Sequence, residues 1–131
     1  MHDALENAGV QKKQVDFISA NANGCKIQDA IEAKAIQSYF GTGSSQIPVS
    51  AIKSNVGESY GASGAAQFIS TVMSINTGLI PHIINHNDKD PEINLNLILE
   101  KPFRKEIQNT IINTMDYDGN NSCLVISRFG K

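Results

Sequence analysis

Two short apolar runs fix most of what this chain can become. Residues 15–20 (VDFISA) and 47–52 (IPVSAI) are too short for stable helices, and each leads through a polar, glycine-containing loop into a segment of helical character. Runs this apolar suit strands covered on both faces. Strand, loop and helix, used twice in succession, is the pattern of parallel strands joined by crossovers. The expected architecture is therefore α/β with a mixed, mainly parallel sheet. Pro48 sits at the beginning of the second run, where a missing N–H does least harm.

The remaining segments complete this layout. Residues 2–8 look like the end of a helix stopped at Gly9; Met1 enters it without an N-cap, which points to a missing upstream part. Helix is expected to resume at Asp29, whose carboxylate suits free backbone N–H groups, and to run through Ala35, Ile36, Tyr39 and Phe40 to Gly41. A second long helix is predicted over 60–76. Its opening run, Gly61 to Ala66, is unusually small and lets another backbone come close, although glycine costs about 1 kcal/mol relative to alanine at each helical position. Phe68, Ile69, Val72 and Met73 recur at helical spacing and are predicted to be core. Residues 79–84 are apolar, and 86–96 form a polar loop containing Pro91. Strands are predicted at 106–115 and 122–129; the intervening DYDGNN carries an Asp-Gly pair that favours a tight reversal, so these two should be antiparallel.

Composition excludes several classes. At 131 residues and 40% apolar the chain suits one domain, 1–131, with a real core. A net charge of -2 without a basic block argues against a nucleic-acid partner. No apolar run reaches the roughly 18 residues of a membrane span, and the polar opening lacks a secretory stretch, so a cytoplasmic location is the expectation. Cys25 and Cys123 make neither a disulfide framework nor a zinc site, and no metal ligand set is predicted.

Open α/β sheets place their sites beyond the carboxyl ends of the strands. Two loops qualify: Asn21 to Cys25, and Lys53 to Glu58. The second leads into a helix N-terminus, and Gly57 permits close backbone approach. Lys53 and Glu58 can pair across it; on these residues alone an exposed ion pair is the expected form. Cys25 is read as a small buried thiol rather than a nucleophile. His2 and His86 are expected in solvated settings and His82 half-buried, and neither loop holds a histidine.

At these loops the chain resembles the C-terminal part of the β-ketoacyl-acyl-carrier-protein synthases, the condensing enzymes of fatty-acid and polyketide assembly. Residues 15–20 resemble the strand leading to the family's His-Gly-Thr loop, and Asp29 with Glu32 its acidic pair on the next helix. Residues 49–57 (VSAIKSNVG) resemble the motif holding the catalytic lysine, with GASG at 61–64 as in the family's small-residue helix. Residues 80–85 and the Asp90-Pro91-Glu92 step also fit, and residues 116–121 stand where the family has a glycine-rich loop. The resemblance covers nearly the whole chain. It implies the thiolase-like fold, with two similar βαβαβαββ halves of which only the second is present here. The nucleophilic cysteine lies in the first half, so neither Cys25 nor Cys123 corresponds to it.

The departures carry the functional expectation. Where the family has two histidines and a lysine, this chain has Asn21, Glu58 and Lys53. Asparagine can still donate an N–H to an enolate oxygen. An ionised Glu58 cannot, and it opposes the malonyl carboxylate. Loss of one oxyanion donor typically costs about 10²–10³ in rate. The threonines that hold phosphopantetheine correspond to Asn23 and Cys25, and Asp116 and Asp118 enter the glycine-rich loop beside Tyr117, so Asn23, Cys25 and Tyr117 are the expected substrate contacts. With Glu58 in place of histidine, Lys53 is expected in a buried or half-buried ion pair. The resemblance implies no bound cofactor, a substrate carried on an acyl carrier protein, and a homo- or heterodimer built with a ketosynthase half. The leading expectation is a non-catalytic subunit similar to chain-length factors. An active condensing enzyme with an Asn/Glu site, and a stand-alone acyl or carrier-protein binding module, are the alternatives.

Overall fold

A computed structural model describes residues 1–130. The chain runs α1 (His2–Ala8), β1 (Phe17–Ser19), α2 (Lys26–Phe40), β2 (Pro48–Ser50), α3 (Lys53–Val56), α4 (Ser63–Thr77), β3 (Leu79–Ile80), β4 (Asn96–Leu97), β5 (Phe103–Arg104), β6 (Asn109–Met115) and β7 (Asn121–Ser127). Five strands form one sheet in the order β4-β2-β1-β6-β7. The first four are parallel, and β7 returns antiparallel to β6. β3 and β5 make a separate antiparallel pair.

The two early apolar runs occupy the centre of this sheet, and every residue of β1 and β2 is buried. On one face Leu5 of α1 and Ile36 of α2 pack with Ile18, Val49 and Ile111. On the other, Ile75 of α4 joins Phe17, Ile80, Ile98 and Ile107. The mixed, mainly parallel sheet and the antiparallel final pair are as the sequence predicts.

Several boundaries differ. α2 begins at Lys26, with Cys25 rather than Asp29 at its N-cap, because the turn at Asn23 and Gly24 already sets the helical course. Residues 53–56, expected as loop, form the short helix α3. The polar stretch 86–96 delivers Asn96 into β4, whose two residues pair with β2 too briefly to leave an alternating pattern. The last strands are trimmed to 109–115 and 121–127.

The largest correction concerns α4. The residues predicted as its core face are not buried: Phe68, Ile69 and Met73 are 45%, 59% and 60% exposed, and Val72 is half-buried. The helix instead turns Ser63, Gln67, Thr71 and Ser74 toward the sheet, all buried, with Ile75 at its end. Gln67 is the residue of this stripe that bonds to the sheet side, while Ser74 Oγ donates to the Ser70 carbonyl of its own helix. Gln67 Nε2 donates to the carbonyl of Ala20 at 2.8 Å and that of Asn113 at 3.3 Å. Gly61 and Gly64 meet nothing within 4 Å of an added Cβ, so within the described residues the small-residue surface is open rather than filled.

Candidate functional site

Parallel pairing assembles the site. β1 and β2 run side by side with Ser19 opposite Ser50, so the residues just past their carboxyl ends emerge together. Asn21 leaves β1 there, and Lys53 opens α3 after β2. The Lys53 ammonium donates to Asn21 Oδ1 at 2.7 Å. Gly57 ends α3 with φ 84 and ψ 168, a conformation open only to glycine at acceptable cost, and this reversal returns Glu58 to the same point. Glu58 Oε2 lies 3.0 Å from Lys53 Nζ, with the two side chains 23% and 6% exposed. The pair is thus buried on the lysine side, as the family resemblance leads one to expect and unlike the exposed pair suggested by the residues alone.

Both carboxylate oxygens of Glu58 are engaged. Its Oε1 accepts the backbone N–H of Tyr60 at 2.8 Å and the hydroxyl of Ser63, while Oε2 takes Lys53. Burial pushes its pKa up, but the Ser63 and Lys53 hydrogen bonds and the Tyr60 amide outweigh that, leaving it below its ordinary 4.5. It is a fixed anion at neutral pH. Asn21 gives its oxygen to Lys53, and its Nδ2 amide group is the end not used by that bond; Asn21, Lys53, Tyr60, Gln67 and Asn120 line a cleft of about 300 Å³.

Glu32 holds the backbone beneath Asn21. Fully buried, its carboxylate accepts the N–H of Asn21 at 2.8 Å and of Ala22 at 2.9 Å, and the Asn113 side-chain amide at 2.7 Å. Ala22 sits at φ 32, an unfavourable conformation that these bonds sustain. Asn23 is held by its own loop and α2: its Nδ2 donates to Gln28 Oε1 at 2.5 Å and its Oδ1 accepts the Cys25 N–H at 2.9 Å. Cys25 is half-buried at the N-cap of α2, not the buried core thiol expected. Gln28 Nε2 reaches the Asp116 carbonyl at 3.3 Å, so the loop after β1 touches the loop between β6 and β7. Tyr117 is 66% exposed and lines neither this cleft nor the cavity beside it. The structure therefore gathers Asn21, Lys53 and Glu58 in one network, places Asn23 and Cys25 at its border, and leaves Tyr117 apart.

Gln67 and Ser63 are site residues that the sequence reasoning missed. Their signal was available: polar residues recur at 63, 67, 71 and 74, at helical spacing.

Residues 1–87 match the family described as Beta-ketoacyl synthase, C-terminal domain. The chain belongs to that family. A 3-oxoacyl-[acyl-carrier-protein] synthase 2 of Coxiella burnetii is 30% identical over 128 residues, covering 98% of this chain and 31% of that protein. A chloroplastic 3-oxoacyl-[acyl-carrier-protein] synthase I of Hordeum vulgare is 31% identical over 126 residues, 96% of this chain and 27% of that protein. Among solved structures, the ishigamide ketosynthase/chain length factor aligns at a TM-score of 0.93 with 32% identity, over 98% of this chain and 32% of that one. This β-ketoacyl synthase domain thus has the thiolase-like α/β fold of its relatives and spans about a third of their length. No helix among the described residues is long and apolar enough to cross a membrane.

Proposed function

We propose that this chain is the C-terminal part of a non-catalytic ketosynthase-like subunit that pairs with an active ketosynthase in fatty-acid or polyketide synthesis. The observation that carries this reading is the closed Lys53–Glu58 pair. At a position where decarboxylative condensation needs a donor for the developing enolate oxygen, the chain holds an anion whose oxygens are all occupied. Lys53 gives two of its three N–H donors to Asn21 and Glu58, and the Glu58 charge offsets its attraction for a malonyl carboxylate. Similarity to a ketosynthase/chain length factor supports a place in a paired assembly of this kind. In such a subunit the chain supplies tunnel wall and interface, while acyl groups arrive on an acyl carrier protein; a type II ketosynthase in complex with its acyl-carrier protein shares the fold at 23% identity and a TM-score of 0.95.

One observation favours a second reading, an active enzyme with an atypical site: Lys53 occupies only the oxygen of the Asn21 amide and leaves its N–H donors for another acceptor. The stand-alone module is disfavoured by the exposed apolar face of α4, which a module working alone would leave in water. The deciding measurement is malonyl decarboxylation by the purified full-length protein. The proposal expects none alone, with turnover only when an active ketosynthase is added. Turnover by the protein alone, lost in Asn21→Ala, supports the second reading and removes the first.

A further inference from the structure

β7 ends one side of the five-stranded sheet and pairs, among the described residues, with β6 alone. An edge strand presents unpaired backbone groups, and proteins ordinarily blunt it with lysine, proline, a bulge or short length. β7 carries none of these devices. Its seven residues, Asn121–Ser127 (NSCLVIS), include no charge and no proline. They follow β6 without a bulge, from Asn109 opposite Ser127 to Met115 opposite Asn121. Hydrogen bonds at the two ends of this ladder fix which groups are free. Arg128 N–H donates to the Gln108 carbonyl at 2.8 Å, and Asp116 N–H to the Asn120 carbonyl at 3.0 Å. Bonded and non-bonded pairs alternate in an antiparallel ladder, so the even-numbered residues of β7 bond to β6. The N–H and C=O groups of Asn121, Cys123, Val125 and Ser127 therefore point to the open side. Leu124 stands at the middle of that row and is 50% exposed.

This row is complementary to itself. Turned antiparallel about an axis through Leu124, a second copy sets its Val125 against Cys123 and its Ser127 against Asn121. Each outward N–H then meets an outward C=O. A register slipped by one residue would oppose free groups to groups already bonded to β6, and a slip of two would leave one end of the row unpaired. The centred register also sets Leu124 against Leu124 as a non-bonded pair, the closer kind, where two apolar side chains meet. Charge agrees with this direction: the antiparallel turn brings the acidic end of one hairpin, with Asp116 and Asp118, beside the Arg128 end of the other.

We infer that the free edge of β7 is an interaction surface for a second copy of this chain, joined β7 to β7 in antiparallel register about Leu124 so that the two sheets become one. One strand edge and one leucine from each copy make a small contact. The pairing is therefore weak and needs concentrations well above micromolar. It depends neither on whether the subunit is catalytic nor on what covers α4.

The test follows amide hydrogen exchange in the full-length protein at about 10 µM and about 500 µM. Exchange at Cys123 and Val125 should slow about 10-fold or more at the higher concentration. Leu124→Lys places a charge on an exposed edge position, and should remove that slowing while circular dichroism stays native. Leu124→Cys should form an intermolecular disulfide on mild oxidation, because a non-bonded antiparallel pair holds its Cα atoms about 4.5 Å apart, within the span of a disulfide. Ser122→Cys faces Ile126 of the second copy in this register, and should give about 10-fold less of that product. Failure of Leu124→Cys to link, or equal yields from the two cysteine variants, overturns the inference. Exchange at Cys123 and Val125 that is fast at both concentrations overturns it too. Slow exchange at both does the same, because another part of the same chain then holds the edge. Slowing that persists in a folded Leu124→Lys protein also counts against it and places the contact elsewhere.

Discussion

At the scale of single residues, the Lys53–Glu58 pair and Asp29 make opposite demands on pH. Glu58 is held below its ordinary 4.5, so its ionisation contributes stability that is fully present at neutral pH and is lost as pH falls through the depressed value. Asp29 is raised above 3.8, so its ionised form is disfavoured by folding. Glu58→Gln should therefore destabilise at pH 7 and flatten the acid limb of a denaturation series run between pH 7 and 3. Its cost is about 1–3 kcal/mol, less than for a fully buried pair because Glu58 retains some exposure. Removing both charges in Lys53→Met with Glu58→Gln should recover part of that loss, since an unpaired buried lysine is worse than none. Asp29→Asn should be neutral or mildly stabilising at pH 7. Equal costs for Glu58→Gln and Asp29→Asn in chemical denaturation would contradict this assignment. The pair itself was legible from the residues, because lysine and glutamate stand five apart across a glycine; its burial was legible only once the family resemblance was seen. The orientation of Asn21 was not legible: which end of an amide meets Lys53 depends on two loops from different strands.

At the scale of elements, α4 shows where sequence patterning misleads. Helical spacing of Phe68, Ile69, Val72 and Met73 identifies an apolar face correctly but cannot say what covers it. Within the described residues nothing covers it, and the sheet takes the polar face instead. The two faces call for two measurements. Gln67→Leu preserves volume but strands the Ala20 and Asn113 carbonyls, and should cost about 1–3 kcal/mol in thermal or urea unfolding. Phe68→Asp with Met73→Asp should leave the unfolding free energy within about 0.5 kcal/mol, as for other exposed sites. The β6–β7 connection makes a third case. The family resemblance anticipated a glycine-rich loop there, whereas Asp116 ties this one by accepting the Asp118 N–H at 2.9 Å, the Asn120 N–H at 2.8 Å and the Asn120 amide at 2.7 Å. Asn120 in particular holds the Asp116 pKa below 3.8. Asp116→Ala should speed hydrogen exchange at the amides of Asp118 and Asn120 without altering exchange in β1 or α2. Unchanged exchange at those two amides would show that the Asp-Gly turn alone orders the loop.

At the scale of the whole molecule, the α/β layout was readable because parallel strands buried on both faces leave uninterrupted apolar runs, and β1 and β2 are such runs. That an outer layer should cover α4 was hinted at by the small-residue run at 61–66 and became specific only through kinship, since no local pattern names the neighbour. The exposed stripe of α4, the open surface at Gly61 and Gly64 and the span of about a third of its relatives' length all point the same way. On the proposed reading, the amino-terminal ketosynthase half covers this stripe. Burying Phe68 and Met73 there is worth about 3 kcal/mol together, so the double aspartate substitution should weaken association of this chain with a separately expressed amino-terminal half roughly 100-fold. The chain alone should bind a hydrophobic dye and self-associate at micromolar concentration, and both properties should vanish when the amino-terminal half is added. Carrying the substitutions, it should lose dye binding without needing that half. A wild-type chain that stays monodisperse and dye-free by itself would mean that the stripe is tolerated in water, and the stand-alone module would then regain its place.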